Sequence, residues 1–238
     1  MVTVATGYCR LNNAHRSHAR YLELGRRLVG LGLPTHVFYD GRPSEVLPTP
    51  NTVTKPASLA DCWLAAAAAN CQPPPGTPAK DTVGYCVVQH QKSAWMAVAA
   101  DDAKTVIWID FGIFHLFGLR DAAIREMVAK VAANPPDRIT IPGCWPMQGR
   151  PLINWQQPAW YVCGGVVVMP ADLAGWFHDR CVDYATLQIE ASGHATWEVN
   201  TWSAILRDHP DRFSVYAADH DESLFANYGG PPPWKRFA

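Results

Sequence analysis

The chain is poor in charge and carries almost no excess of either sign. Only 17% of its 238 residues are charged, and the formal net charge is −1 with histidine neutral. Without a basic field it has no global means of holding a polyanion, which weighs against a dedicated nucleic-acid binder and leaves only a local basic groove. Long apolar runs are also missing. The alanine run Leu64–Ala69 is far too short to span a bilayer. Met1–Tyr8 has no basic stretch leading into an apolar one, so no signal peptide is expected. The seven cysteines include no CxxC pair, against zinc ribbons and thioredoxin-like motifs. Their odd, unpatterned count fits a reduced, cytoplasmic setting. GxGxxG, Walker A, GxSxG and HExxH are all absent, so dinucleotide sites, P-loops, nucleophile elbows and HExxH metalloproteases are unsupported.

What is present suits a sizeable core. Hydrophobic residues make up 48% of the chain, enough for one large α/β domain. Most of the ten tryptophans are expected in that core, with some left to stack on apolar sugar faces. The opening reads strand (Val2–Thr6), loop, helix (Tyr21–Leu31), strand (Thr35–Tyr39), the βαβ start of an open sheet whose ligands bind beyond the strand C-termini. Helices are expected at Leu59–Asn70, Gln91–Ala100, Asp121–Ala133, Pro170–Ala185 and Glu198–Arg207. Further strands are expected at Tyr85–Val88, Thr105–Ile109, Arg138–Ile141, Val162–Met169 and Phe213–Tyr216, with a proline-rich loop at Gln72–Pro78.

The strongest chemical feature is Thr105-Val-Ile-Trp-Ile-Asp110-Phe-Gly112. A carboxylate directly after a buried strand lies at the ligand-binding edge of an α/β sheet. Such a group suits a hard divalent cation shared with phosphate oxygens; the alternative is an Asp that caps a turn. After the first strand, Gly7 permits close approach of a ligand, Tyr8 offers a ring to a base, and Arg10 offers a guanidinium to a phosphate. Thr6 belongs to the same loop. Arg16 and Arg20 stand four apart and read as a phosphate-facing pair or as two solvated arginines. Asp40 reads as an acceptor for base or ribose, or as a turn former.

The run Trp108-Ile-Asp110-Phe-Gly112 resembles the metal-binding strand end of GT-A glycosyltransferases, four apolar residues followed by Asp-x-Asp. Its form is similar to the bacterial HtrL/YibB-like glycosyltransferases, over Val2 to about Tyr228. The resemblance implies a single GT-A-like (Rossmann-like) α/β domain with a central mixed, mostly parallel sheet flanked by helices. Residues 1–115 would form the nucleotide-sugar half, 116–228 the acceptor half and 229–238 a proline-rich tail. It implies transfer of a hexose from a nucleotide sugar, UDP-linked by expectation, to a hydroxyl of a glycan, small molecule, protein or hydroxylated nucleobase. Asp110 matches the first Asp of the motif, and Gly112 stands where the second would be. A Mn2+ or Mg2+ cofactor would then need another ligand, for which His220 is the candidate, or a cationic side chain in the metal's place. Lys92 would face the donor diphosphate, or be a surface lysine. Gly164 and Gly165 would lie beneath the sugar, beside Trp197. Glu198 matches an acidic helix-start position facing the acceptor and is the candidate base, or it stabilises the helix N-terminus. The missing second Asp also motivates a non-catalytic nucleotide-sugar or carbohydrate-binding module. Lys235 and Arg236 would join Arg10, Arg16 and Arg20 in any local basic track.

Overall fold

The computed structural model describes residues 1–11, 15–146, 155 and 157–233; Lys235 and Arg236 lie outside the described residues. Among these, seven strands form one sheet: β1 (Val2–Tyr8), β2 (Thr35–Tyr39), β3 (Thr52–Pro56), β4 (Thr105–Ile109), β5 (Ile139–Gly143), β6 (Val166–Pro170) and β7 (Phe213–Ala217). Their order is β3-β2-β1-β4-β6-β5-β7. All neighbours are parallel except β6, which runs against both β4 and β5. The expected mixed, mostly parallel α/β sheet is therefore present. The helices are α1 (His18–Val29), α2 (Ala65–Ala68), α3 (Val83–Ala100), α4 (Asp121–Ala133), α5 (Ala171–Ser192), α6 (Glu198–Asp208) and α7 (Ser223–Ala226).

The sheet is buried on both faces, and its side chains alternate between two cores. Ala5, Val106, Trp108 and Val167 meet Trp95 and Met96 of α3, Phe177 of α5 and Trp202 of α6. Val4, Ile107, Ile109 and Val168 meet Leu24 and Leu28 of α1 and Ile124 and Met127 of α4. No helix among the described residues is long and apolar enough to cross a membrane.

Two expectations give way here. Tyr85–Val88 is not a strand but the first turns of α3, capped by the Thr82 hydroxyl, which accepts from the Tyr85 N–H at 3.1 Å. This helix is apolar on most sides because it is clasped between the sheet and α5, and a short apolar run of that kind reads equally as strand or buried helix. Leu59–Asn70 holds only the single turn α2, its alanines supplying propensity without an apolar face. The edge strand β3 was not foreseen; its polar residues alternate weakly and it ends at Pro56, a residue tolerated at an edge.

One buried histidine makes the fold pH-sensitive. His90 of α3 places Nδ1 2.9 Å from the Cys86 carbonyl and Nε2 2.9 Å from the Thr201 hydroxyl of α6. The carbonyl can only accept, so Nδ1 carries the proton and Nε2 accepts from Thr201. Burial holds the His90 pKa below its ordinary 6.5, and burial does the same for His36, His115 and His178; His220 alone is shifted upward. A histidine kept neutral in the fold stabilises above its unfolded pKa, and that stability is lost as pH falls below it. We predict a falling Tm between about pH 7 and about pH 5, ahead of the carboxylate range. Thermal melts across that window check it; a flat profile would contradict the neutral assignment.

Candidate functional site

The strand order reverses at β1, which pairs with β2 on one side and β4 on the other. Ligands of open α/β sheets bind at such a point, beyond the carboxyl ends of the strands. Asp110 stands there, directly after β4. Because β6 is antiparallel, its beginning reaches the same edge: the Asp110 N–H donates to the Gly165 carbonyl at 3.0 Å.

At the centre is Lys92 of α3, 2% exposed. Its Nζ lies 2.9 Å from Asp110 Oδ1 and donates to Glu198 Oε1 at 2.8 Å and to the Gly164 carbonyl at 3.0 Å. An ammonium has three protons, and all three have acceptors here. Burial alone would push the Lys92 pKa down, but Asp110 and Glu198 outweigh it and hold it above the ordinary 10.5. Trp108 fixes Asp110 from the strand side, its indole N–H donating to Oδ1 at 2.8 Å. Trp108 in turn stacks on Trp95, and Trp95 on Phe38. Glu198 opens α6, where the helix N-terminus favours a carboxylate. One cation against two anions leaves the cluster one negative charge in excess. Asp110 Oδ2 and Glu198 Oε2 make no hydrogen bond to protein among the described residues.

Two cavities meet at this cluster. The larger, about 280 Å3, is walled by Gly7, Tyr8, Tyr21, Phe111 and Gly112, with Arg16 and Lys80 at its polar side. The smaller, about 110 Å3, is walled by Trp160, Gly164, Gly165, Trp197, Glu198 and His220. Asp110, Lys80, Tyr85, Gln89 and His115 line both. Tyr8 contacts Tyr21, Tyr39 and Phe111 at centroid distances of 5.2, 6.1 and 5.4 Å, so one cavity wall is aromatic. Away from this junction lies a wider cavity walled largely by prolines, Pro73, Pro74 and Pro78 among them. Its carboxylate, Asp81, is occupied by the Trp197 indole N–H and the Thr77 N–H.

Gly7, Tyr8, Lys92, Asp110 and Gly112 thus come together as expected on one side, and Gly164, Gly165, Trp197 and Glu198 on the other. Others do not join them. Thr6 is fully buried, its hydroxyl without a partner among the described residues. Asp40 accepts the Arg10 N–H, and the Arg10 guanidinium pairs with Glu45 at 3.2 Å, so neither lines the cavity. Arg20 pairs with Glu23 on the surface. Lys92 is neither a surface lysine nor a free diphosphate ligand, since its protons are fully engaged. Gly164 is small for a different reason than expected: a Cβ there would collide with Glu198 Oε1, so the missing side chain admits the carboxylate to Lys92. Lys80 was missed. It follows the proline-rich loop, lies over the Tyr85 ring at 5.3 Å, and has no carboxylate within ion-pair distance among the described residues.

A hard divalent cation takes its oxygens from one or two carboxylates together with ligand phosphates and water, and the chain's own offer at this point is Asp110 Oδ2. Asp110 Oδ1 is taken by Lys92 and Trp108, and Gly112 offers no side chain. His220 lies instead beside two thiols, and among the described residues no cluster of three His, Cys, Asp or Glu ligand atoms includes Asp110. Asp110 and His220, expected to hold Mn2+ or Mg2+, both line the smaller cavity, with the Lys92 ammonium beside Asp110 Oδ1.

No protein-family model and no curated protein sequence matches the chain. Among solved structures, mouse xyloside xylosyltransferase 1 in its apo form is similar over 89% of this chain and 83% of its own, with a TM-score of 0.49 and 12% identity. A glycosyltransferase involved in the glycosylation of the major capsid of PBCV-1 is similar over 91% and 81%, with a TM-score of 0.45 and 12% identity. The side chains around Asp110, rather than these likenesses, carry the functional reading.

Removing the ammonium tests the cluster. Lys92→Met leaves two carboxylates facing each other, and breaking a buried pair this way costs about 3–5 kcal/mol. Combining it with Glu198→Gln, which removes one of the stranded charges, should restore part of the loss. Urea unfolding of both variants checks this; equal midpoints for wild type and Lys92→Met would contradict the assigned role.

Proposed function

We propose that the chain is a glycosyltransferase that moves a sugar from a nucleotide-sugar donor to an acceptor hydroxyl across the two cavities that meet at Asp110. The observation that carries this reading is the junction itself. An aromatic pocket with two cations, Lys80 and Arg16, that have no ion pair among the described residues opens onto one side of a fixed carboxylate, and a second pocket with a second carboxylate opens onto the other. Tyr8, Tyr21 and Phe111 suit a base and ribose; UDP is the expected nucleotide, and a hexose the expected sugar. Lys80 and Arg16 suit the diphosphate, whose charge grows as the bond from the sugar anomeric carbon to the phosphate oxygen breaks. The acceptor oxygen forms the new bond to that carbon and gives up its proton.

Glu198 is the expected base, and the geometry refines its part. Oε1 already accepts from an ammonium, so only Oε2 remains to meet a hydroxyl. In a transfer with retention of configuration that oxygen would orient the sugar instead. No step here runs through a metal ion; Lys92 supplies the fixed positive charge at the junction and holds Asp110 and Glu198 in place. Because Lys92 already pairs with both carboxylates, binding of a nucleotide sugar without transfer is the second reading. A cytoplasmic setting is proposed on the composition alone.

Candidate nucleotide sugars should raise Tm, and sugar release or transfer should accompany binding. Asp110→Asn keeps the shape and should abolish turnover while far-ultraviolet circular dichroism stays unchanged. Lys80→Ala should weaken donor binding by about 1.5–3 kcal/mol, roughly 10- to 100-fold in Kd, with little effect on Tm in the absence of donor. Donor binding without any turnover across a broad acceptor panel would favour the binding module. Failure of every nucleotide and nucleotide sugar to bind would sink both readings.

A further inference from the structure

A second cluster of chemically capable side chains lies at the rim of the smaller cavity. Cys144 follows β5, Cys163 precedes β6, and His220 follows β7. Backbone hydrogen bonds lace these three strand ends together: Cys163 N–H to the Pro142 carbonyl at 2.8 Å, Trp145 N–H to the Trp160 carbonyl at 2.9 Å, and Ala218 N–H to the Gly143 carbonyl at 3.0 Å. The Cys144 and Cys163 sulfurs are 2.7 Å apart, and His220 Nδ1 is 4.0 Å from the Cys144 sulfur. One ligand atom from each of the three residues lies within 4.8 Å of the others. Asp219 Oδ1 is 3.9 Å from the Cys144 sulfur and 3.2 Å from His220 Nδ1. The Trp160 ring meets the imidazole edge-on at 4.4 Å, which fixes its plane.

We propose that Cys144, Cys163 and His220 bind a thiophilic divalent cation of the zinc class, with Asp219 or water in the fourth position. Two sulfurs and an imidazole are the donors that select zinc over magnesium or manganese, so this site is distinct in chemistry from any hard-cation site at Asp110. The sulfurs stand too far apart for a covalent bond of about 2.05 Å. At 2.7 Å they are closer than van der Waals contact. A tetrahedral cation takes the place of the thiol protons, and zinc–sulfur bonds of about 2.3 Å set the sulfurs about 3.7 Å apart. Cys144 is half-buried, directly after β5. A disulfide would use the sulfurs alone and give the oriented imidazole no part. Binding releases the thiol protons to solvent and clamps the ends of β5, β6 and β7. Cys163 and His220 also line the Asp110 cavity, and Cys144 and Asp219 line its outer continuation together with His220 and Lys80. The cation therefore stiffens the rim where an acceptor would enter.

The full chain, reduced with a phosphine and freed of metal, is titrated with Co2+ and followed optically. One equivalent should bring up the ultraviolet thiolate-to-cobalt charge-transfer band with the visible bands of a tetrahedral ion, and Zn2+ should abolish both. Zn2+ should also raise Tm. Cys144→Ser should lose part of the charge-transfer intensity and weaken binding. His220→Gln, a change at a more exposed position, should weaken binding while circular dichroism confirms the fold. No charge-transfer band in the reduced wild-type chain would overturn the proposal. So would a band undiminished in both variants, or a Cys144–Cys163 disulfide that forms in preference to the metal complex when zinc is present. The spectrum needs no turnover, so it decides the matter whether or not the chain transfers a sugar.

Discussion

A buried ammonium organises this molecule. Lys92 comes from α3, Asp110 from the end of β4, Glu198 from the start of α6 and the Gly164 carbonyl from the approach to β6. Four separate segments therefore converge on one nitrogen. Taking such a charge out of water is costly, and only well-placed acceptors offset the cost. The surroundings are shaped to that demand. Gly164 is bare so that Glu198 can reach in, and Trp108 holds Asp110 in line. The stacked Trp108, Trp95 and Phe38 set the strand and helix at the distance that the lysine spans.

This arrangement explains the unusual strand end. Where a second carboxylate would help hold a hard cation, Gly112 packs near the Tyr21 ring instead. The positive charge beside Asp110 is covalently part of the chain, present in every state and needing no capture from solution. Its limitation is reach. With its three protons engaged, it cannot follow a departing group, and in the proposed transfer that task falls to Lys80 and Arg16 on the loops.

Asp110 was legible as a strand-end carboxylate because it directly follows a buried strand that is apolar but for Thr105, and the sheet class followed from the opening βαβ pattern. Glu198 and the two glycines were legible as positions, though not in their roles. What the sequence hid was pairing across distance. Lys92 looked like a surface or ligand-facing residue because the helix around it, apolar on most sides, read in part as a strand. Arg10 and Asp40 looked available because their partners, Glu45 and the Arg10 N–H itself, lie in no recognisable pattern. Lys80 emerges from a proline-rich loop with no periodicity to mark its direction. Cys144 and Cys163 meet only because their strands run antiparallel, and their spacing resembles no metal-binding motif.

The reversed direction of β6 also bears on how such a protein can diversify. In an all-parallel sheet, only the segments that follow strands reach the ligand edge. Here the segment that precedes β6 reaches it too, while the Asp110 N–H to Gly165 carbonyl bond fixes where that segment must arrive. Upstream of Cys163 the same segment is tied to α6, the Ala159 N–H donating to Asn200 Oδ1 at 2.6 Å. The fold thus brings one further segment to the ligand edge and fastens it both to Asp110 and to the helix that carries Glu198, so a change in the approach to β6 is felt at both carboxylates.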